Sequence, residues 1–139
     1  NHYVSGAADY FDGIEPLPEE YQMVKRRYSG FFGTDLEILL KGLGVEHIYA
    51  VGLLTDVCVH YTCADAHQHD YHIHVVREAA GGSSLAAHEA ALAAIEYLQH
   101  GSVRKRCVND EEKNNCDGIC FDDGVKSVCW IGAILCCDG

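Results

Sequence analysis

The sequence lacks two features that mark membrane and nucleic-acid-binding proteins. It has no uninterrupted apolar run of about 18 residues, the length that a membrane-spanning helix needs. Basic residues are scarce, with 10 lysines and arginines against 21 aspartates and glutamates and a formal net charge of −11. Because this charge repels phosphate backbones and anionic lipids, we expect neither nucleic acid nor a membrane as a partner.

The amino terminus also lacks the usual signals of a chain start. It begins Asn1-His2-Tyr3-Val4, with no start methionine and none of the basic and apolar regions of a signal peptide. We therefore expect the native protein to begin further upstream. The length of 139 residues is that of one compact domain.

Cysteines are rare in the first hundred residues and dense afterwards. Only Cys58 and Cys63 precede residue 104, and the other six lie in the last third: Cys107, Cys116, Cys120, Cys129, Cys136 and Cys137. A secreted disulfide framework would spread its cysteines over the whole domain. We therefore interpret residues 1–103 as a reduced, intracellular domain and residues 104–139 as a Cys-rich tail of unknown role.

The tail matches no metal-binding motif well. Only Cys116 and Cys120 have a spacing that zinc sites favour, and a calcium loop centred on Gly118 lacks acids at its ends. Residues 125–137 are apolar enough for a terminal strand. A segment without a designed role, such as a mis-joined end, is the interpretation that we prefer for the tail.

The first part of the chain predicts a strand followed by a helix. Residues 22–25 have the character of a strand end, and Thr34 to Glu37 form a capping box, in which Thr34 caps the helix and Glu37 reaches back to it. Leucines at helical spacing follow, and Gly44 is suited to end the helix.

Two further strand–helix units follow with short links. Residues 48–54 are a continuous apolar run, typical of a buried strand. Thr55 and Asp56 can cap a helix to about residue 69, residues 71–76 predict a third strand, and residues 81–84 precede a last helix. This alternation predicts an α/β domain with a parallel sheet. Reactive groups in such sheets lie at the carboxyl ends of strands, which selects Lys25 and the segment from Thr55 to Cys58.

Cys58 has the position of an activated thiol. It lies in the first turn of a helix that follows a buried strand, where backbone amides and the helix dipole favour the thiolate. The same amides are suited to receive a developing oxyanion. A lysine brought close by the neighbouring strand, Lys25, would add positive charge. The alternative is that Cys58 is only a small buried residue, and position alone does not decide between the two.

Three blocks of the sequence resemble the isochorismatase-like cysteine hydrolases. Lys25-Arg26-Arg27-Tyr28-Ser29-Gly30-Phe31-Phe32-Gly33-Thr34-Asp35-Leu36 resembles the lysine-bearing block of that family. Gly52-Leu53-Leu54-Thr55-Asp56-Val57-Cys58-Val59 is similar to its nucleophile block, which Thr62, Asp65 and Ala66 continue. Leu85-Ala86-Ala87-His88-Glu89-Ala90-Ala91-Leu92 resembles its final helix. The similarity covers about residues 15–103, in the family's order and spacing.

The resemblance implies a three-layer α/β/α fold with a Rossmann-like parallel sheet and a cysteine mechanism. Cys58 would attack the carbonyl of a small amide, carbamoyl or ureido substrate and form an acyl-enzyme, with Lys25 as its charge partner. The amides of Thr55 and Cys58 would form the oxyanion hole, and the peptide bond between Leu54 and Thr55 would be cis. No cofactor is implied, and the full-length parent is expected to be a homo-oligomer.

Three aromatic residues follow the lysine and are candidates for the wall of a substrate pocket. Tyr28, Phe31 and Phe32 fit this role by position, although core packing explains them equally well. Cys63 and the alternating pair His72 and His74 are expected to be structural. The two histidines point to one face of a strand without a third ligand in view, so the sequence predicts no metal site.

One element of the family's site has no counterpart in this sequence. The resemblance implies a catalytic aspartate at the end of a first, central strand, and no segment here resembles that block; Asp9 and Asp12 do not match it. Some relatives also hold a metal through residues of that region. We therefore expect the sheet to lack its first strand and this chain to be inactive by itself.

Two other functions remain open on the sequence alone. The fold could serve as a non-catalytic module for oligomerisation or ligand binding. The clustered tail cysteines could instead indicate a thiol redox or metal-binding protein. An aspartate-bearing strand in the native protein would favour the hydrolase, and stoichiometric zinc would favour the last alternative.

Overall fold

The computed structural model describes Gly13, residues 15–104 and residues 127–129. Asp9, Asp12 and every tail cysteine except Cys129 lie outside the described residues, and so do the predictions made for them. The elements in chain order are the helix α1 (Leu36–Leu43), the strand β1 (His47–Leu53), a π-helical turn (Thr55–Val59), the helix α2 (His60–Gln68), the strand β2 (His72–Gly81), the helix α3 (Leu85–Leu98) and the strands β3 (Val103–Arg104) and β4 (Ser127–Cys129).

The strands form one parallel sheet in the order β3-β2-β1-β4. β1 pairs with β2 along its length, from His47 opposite His72 to Leu53 opposite Gly81. On its other edge, the first three residues of β1 pair with β4, which falls within the terminal strand predicted for residues 125–137. A parallel sheet joined by helices confirms the predicted α/β class.

The core lies between the sheet and the helices α2 and α3. Alternate residues of β1 and β2 point into it because side chains along a strand alternate between its two faces. Nine of the core residues are each at most 4 % exposed: Ile48, Ala50, Ile73 and Val75 from the strands, Cys63 and Ala66 from α2, and Ala91, Leu92 and Ile95 from α3. This packing fixes both helices on the sheet and so fixes the turn in front of α2.

The helix ends agree with the sequence in two places and differ in one. Gly44 ends α1 with φ of 67°, and the hydroxyl of Ser84 caps α3 by accepting a 3.1 Å bond from the Ala87 amide. The capping box was the wrong prediction. The Thr34 hydroxyl accepts a 3.3 Å bond from the Leu36 amide, not from the Glu37 amide, and donates to the Gly30 carbonyl. The N-cap is Asp35, and Glu37 contacts His69 at 3.1 Å and does not reach back.

The predicted strand at residues 22–25 is absent. The backbone there is irregular, and Val24 is 64 % exposed. The segment therefore buries too little apolar surface to form a core strand, and no described strand pairs with it. Within the described ranges, no helix is long and apolar enough to cross a membrane.

Candidate active site

Cys58 lies where β1 passes into the following helix, at the carboxyl end of a central strand. Leu54 is extended, and its carbonyl accepts 3.1 Å bonds from the amides of Val57 and Val59, which opens the helix with a π-helical turn. Thr55 and Cys58 are both fully buried. We call residues 54–58 the nucleophile turn. The predicted placement of Cys58 in the first turn after a buried strand is confirmed.

The cis peptide bond was placed one residue too late by the sequence. The structure has it between Leu53 and Leu54, not between Leu54 and Thr55. β1 ends at Leu53, so the bond falls where the strand stops and the turn begins. Leu54 and Thr55 still precede Cys58 in the nucleophile turn.

Asp56 does not cap the helix that follows it. Its carboxylate accepts a 2.8 Å bond from the Ser83 amide and a 2.6 Å bond from the Ser83 hydroxyl, so it ties the nucleophile turn to the residues before α3. These two bonds, the hydroxyl bond first, lower the pKa of the Asp56 carboxyl. A sequence reading misses this role because Ser83 lies 27 residues away.

His88 contacts the nucleophile turn and was not singled out by its sequence. Its Nδ1 atom lies 2.8 Å from the hydroxyl of the fully buried Thr55. His88 is on the first turn of α3, which brings a polar side chain against the nucleophile turn. In sequence, α3 follows this turn, whereas the lysine-bearing segment precedes it. The only signal in the sequence is a histidine among alanines one turn after a cap.

The segment after Lys25 is fastened to the helix after Cys58. The Gly30 amide donates a 2.9 Å bond to the Thr62 hydroxyl, which itself donates a 2.7 Å bond to the Cys58 carbonyl. Ser29 donates its hydroxyl to the carboxylate of Asp65. Thr62 and Asp65, which continue the family's nucleophile block, therefore hold the lysine-bearing block in place.

Lys25 itself lies in irregular backbone, not at a strand end. Its side chain is half-buried, and its ammonium donates a 3.1 Å bond to the Arg27 carbonyl. The bonds from Ser29 and Gly30 to α2 keep this part of the segment after Lys25 against that helix. A contact between the Lys25 ammonium and the Cys58 sulfur stays a prediction.

The three aromatic residues of the predicted pocket wall differ in their surroundings. Phe31 packs against the core and stacks on His69 with ring centres 5.1 Å apart, near the far end of α2 from Cys58. Tyr28 packs against Tyr61 at 5.7 Å, and Phe32 is 65 % exposed. The contacts of Phe31 are those of a core residue, and the pocket role remains a prediction for Tyr28 and Phe32.

Cys63 has the surroundings of a structural thiol. Its side chain is 3 % exposed in the core, and this burial raises the pKa of the thiol to about 12. A thiol with such a pKa contributes almost no thiolate at neutral pH. Of the two cysteines before residue 104, Cys63 is therefore unsuited to nucleophilic attack.

The histidine pair on β2 has a third neighbour that the sequence did not reveal. The Nδ1 atom of His47 lies 2.9 Å from Nε2 of His74, and the His47 ring stacks on His72 at 4.8 Å. Tyr49 stacks on His74 at 4.6 Å. The described side chains include no group of three or more His, Cys, Asp or Glu arranged to hold a metal ion.

Comparison with known proteins agrees with the blocks seen in the sequence. The sequence profile of the Isochorismatase domain matches residues 5–104. Ureidoacrylate amidohydrolase RutB of Methylobacterium radiotolerans is 41 % identical over 96 residues, which cover 66 % of this chain and 36 % of that protein. An uncharacterized isochorismatase family protein, PncA of Bacillus subtilis, is 37 % identical over 78 residues, which cover 56 % of this chain and 43 % of that protein.

Solved structures with a similar fold come from the same group of proteins. An isochorismatase-like hydrolase of Alkaliphilus metalliredigens aligns with a TM-score of 0.64 and 30 % identity, over 68 % of this chain and 51 % of that one. N-carbamoylsarcosine amidase of Thermoplasma acidophilum aligns with a TM-score of 0.57 and 29 % identity, over 69 % and 53 %. The chain thus spans between 36 % and 53 % of the length of these four proteins.

Proposed function

Because this chain belongs to the isochorismatase family, we propose that it is part of a cysteine hydrolase that cleaves a C–N bond in a small molecule. The substrate class is an amide, carbamoyl or ureido compound. Relatives are named for ureidoacrylate and N-carbamoylsarcosine, and another similar structure is a nicotinamidase of Bacillus subtilis. These names share a carbonyl carbon bonded to nitrogen, which supports the substrate class without choosing one member.

The observation that carries the proposal is the connection between the two catalytic blocks. Cys58 follows the central strand β1, and the block containing Lys25 is bonded to the same helix through Gly30 and Thr62. Residues far apart in sequence are therefore joined at the backbone carbonyl of Cys58. A cysteine with only a packing role needs no such arrangement.

The proposed reaction proceeds through a thioester. The Cys58 sulfur attacks the carbonyl carbon, the C–N bond breaks, the leaving nitrogen takes a proton, and water then hydrolyses the acyl-enzyme. The positive charge of Lys25 favours the thiolate and stabilises the negative charge of the transition state. We assign the proton transfers to the family's aspartate, whose block no segment of this sequence resembles.

The oxyanion site is proposed at the nucleophile turn. Amides in this turn lie at the carboxyl end of β1, where a carbonyl oxygen attacked by Cys58 would also lie. The proposed donors are the amides of Thr55 and Cys58. One well-placed donor of this kind contributes about 10²–10³-fold in rate.

A nitrophenyl carbamate tests the nucleophile without the aspartate. Its nitrophenolate leaves without being protonated, so formation of a carbamoyl–Cys58 adduct needs only the thiolate and the oxyanion site. We expect mass spectrometry to locate the adduct on Cys58 and to find none there in Cys58→Ser, with Glu19→Gln as the control. An unmodified Cys58 in the folded chain would refute the proposed nucleophile.

One observation favours a non-catalytic member of the same family. Cys58 is fully buried, which would suit a thiol that only packs. In that case the chain would bind small amides, measured by calorimetry, and form no adduct. We also propose a cytoplasmic location, since a reactive thiol is kept reduced in the cytosol. We further propose that the full-length parent is a homo-oligomer.

A further inference from the structure

The first turn of α3 and the residues before it contact the nucleophile turn at separate points. The Ser83 amide and hydroxyl bind the carboxylate of Asp56 at 2.8 and 2.6 Å. His88 Nδ1 lies 2.8 Å from the Thr55 hydroxyl. Two neighbouring residues of the nucleophile turn are therefore each bonded to a different residue at the start of α3.

The backbone at Gly82, directly before Ser83, is packed so closely that only glycine fits. A Cβ atom at Gly82 would lie 2.8 Å from the Cβ and 2.9 Å from the Cα of His88, and 2.9 Å from the carboxylate of Asp56. The Cα of His88 belongs to the backbone of α3 and cannot swing aside. This close approach holds His88 at one distance from the nucleophile turn.

The contact with Thr55 has the greater consequence for Cys58. The Thr55 side chain is fully buried, so its hydroxyl depends on a protein partner to replace water. Cys58 is three residues further along the same helical turn. A fixed Thr55 therefore fixes the direction in which the amides around Cys58 point.

We propose that His88 is a positioning residue for Cys58, acting through its hydrogen bond to Thr55 while Ser83 and Asp56 anchor the adjacent backbone. The nucleophile turn is thereby held in the orientation in which its amides stabilise the Cys58 thiolate. This inference rests on the proposed function, since it concerns the ionisation of the proposed nucleophile.

The experiment compares the ionisation of Cys58 in matched variants of the full chain. Thiolate formation is followed by ultraviolet absorbance against pH, and the curve of Cys58→Ser is subtracted so that only Cys58 contributes. His88→Phe removes the ring nitrogen but keeps the ring, and His88→Asn keeps a polar atom near the position of Nδ1. Thr55→Val removes the hydroxyl with little change in volume. Glu89→Gln, on the same helix and bonded to Arg77, is the control.

We expect His88→Phe and Thr55→Val to raise the midpoint by about one pH unit, which is a tenfold loss of thiolate near neutral pH. The double variant should show no further shift because both changes break one bond. His88→Asn and Glu89→Gln should titrate like the parent chain. Circular dichroism of each variant establishes that the fold is retained.

The outcomes separate the inference from the proposed function. A depressed midpoint in the parent chain that is unchanged in folded His88→Phe would overturn the role of His88 and leave Cys58 as the nucleophile. An ordinary thiol midpoint of about 8.5 in the parent chain would overturn both the role of His88 and the assignment of Cys58 as the nucleophile. Additive shifts in the double variant would show that the two residues act separately, which contradicts positioning through their shared bond.

Discussion

Thr62 joins Cys58 to the lysine-bearing segment through a single hydroxyl group. Its Oγ1 atom donates to the Cys58 carbonyl at 2.7 Å and accepts from the Gly30 amide at 2.9 Å. The Thr62 side chain is buried, at 2 % exposure, so neither bond is readily replaced by water. Thr62, four positions after Cys58, thus brings two distant blocks of the sequence together.

Thr62→Val should destabilise the chain although it hardly changes the side-chain volume. The Gly30 amide would be left buried without an acceptor, which costs about 1–3 kcal/mol. Urea unfolding followed by circular dichroism measures the change in free energy. Thr62→Ser keeps the hydroxyl and removes only the methyl group, so it should lose clearly less stability. A folded Thr62→Val as stable as the parent chain would show that the two bonds contribute little.

Cys58 should be the first of the eight thiols to react with limiting iodoacetamide near neutral pH. It combines a helix start with a lysine-bearing neighbour segment, whereas burial raises the pKa of Cys63 to about 12. Peptide mapping by mass spectrometry gives the order of labelling. Faster reaction of Cys63 or of a tail cysteine would remove the physical basis for the nucleophile.

The Lys25 ammonium should lie within about 4–6 Å of the Cys58 sulfur, the range in which a charge shifts a pKa strongly. The anchoring of Ser29 and Gly30 on α2 brings the segment to the correct helix. A crystal structure measures the separation directly. Ordered side chains more than about 10 Å apart would rule out the pair.

The chain should lose stability as the pH falls below about 6.5 because of His47. Burial first, then the nearby charge of His72, lowers the pKa of His47 from its ordinary value of 6.5, against the opposing effect of Glu46. The unfolded chain therefore binds more protons than the folded one in this range, and stability present above about 6.5 is lost on acidification.

Thermal unfolding between pH 5 and 7.5 measures this dependence. His47→Phe keeps a stacking ring and removes the titrating group, so its stability should vary less with pH. Identical pH dependence in the parent and His47→Phe would place the effect in other groups.

The 139-residue chain should show only traces of turnover on nicotinamide, ureidoacrylate-like and carbamoyl substrates. The missing aspartate would transfer protons to and from the reacting groups, and such catalysis contributes about 10²–10⁴-fold. Ammonia release by a sample with a native circular dichroism spectrum is the measurement. Robust turnover that disappears in Cys58→Ala would mean that an acid within this chain, such as Asp9 or Asp12, does the work.

The sequence by itself determined the class of fold and the place of Cys58 within it. The apolar run before Thr55 is long enough for one buried strand, and Thr55 and Asp56 indicated the start of a helix, so local pattern alone placed Cys58 at a strand-to-helix junction. Gly44 and Ser84 likewise end and begin helices through bonds to residues within four positions. Interactions of this short range are written in the sequence.

Only the tertiary structure decided which distant side chains meet at that junction. Asp56 was predicted to cap a helix and instead binds Ser83, and Glu37 was predicted to reach back to Thr34 and instead contacts His69. The roles of His88 and His47 also depend on residues 33 and 27 positions away. A polar side chain takes the partner that the packed strands and helices bring within reach, and that choice is absent from any local pattern.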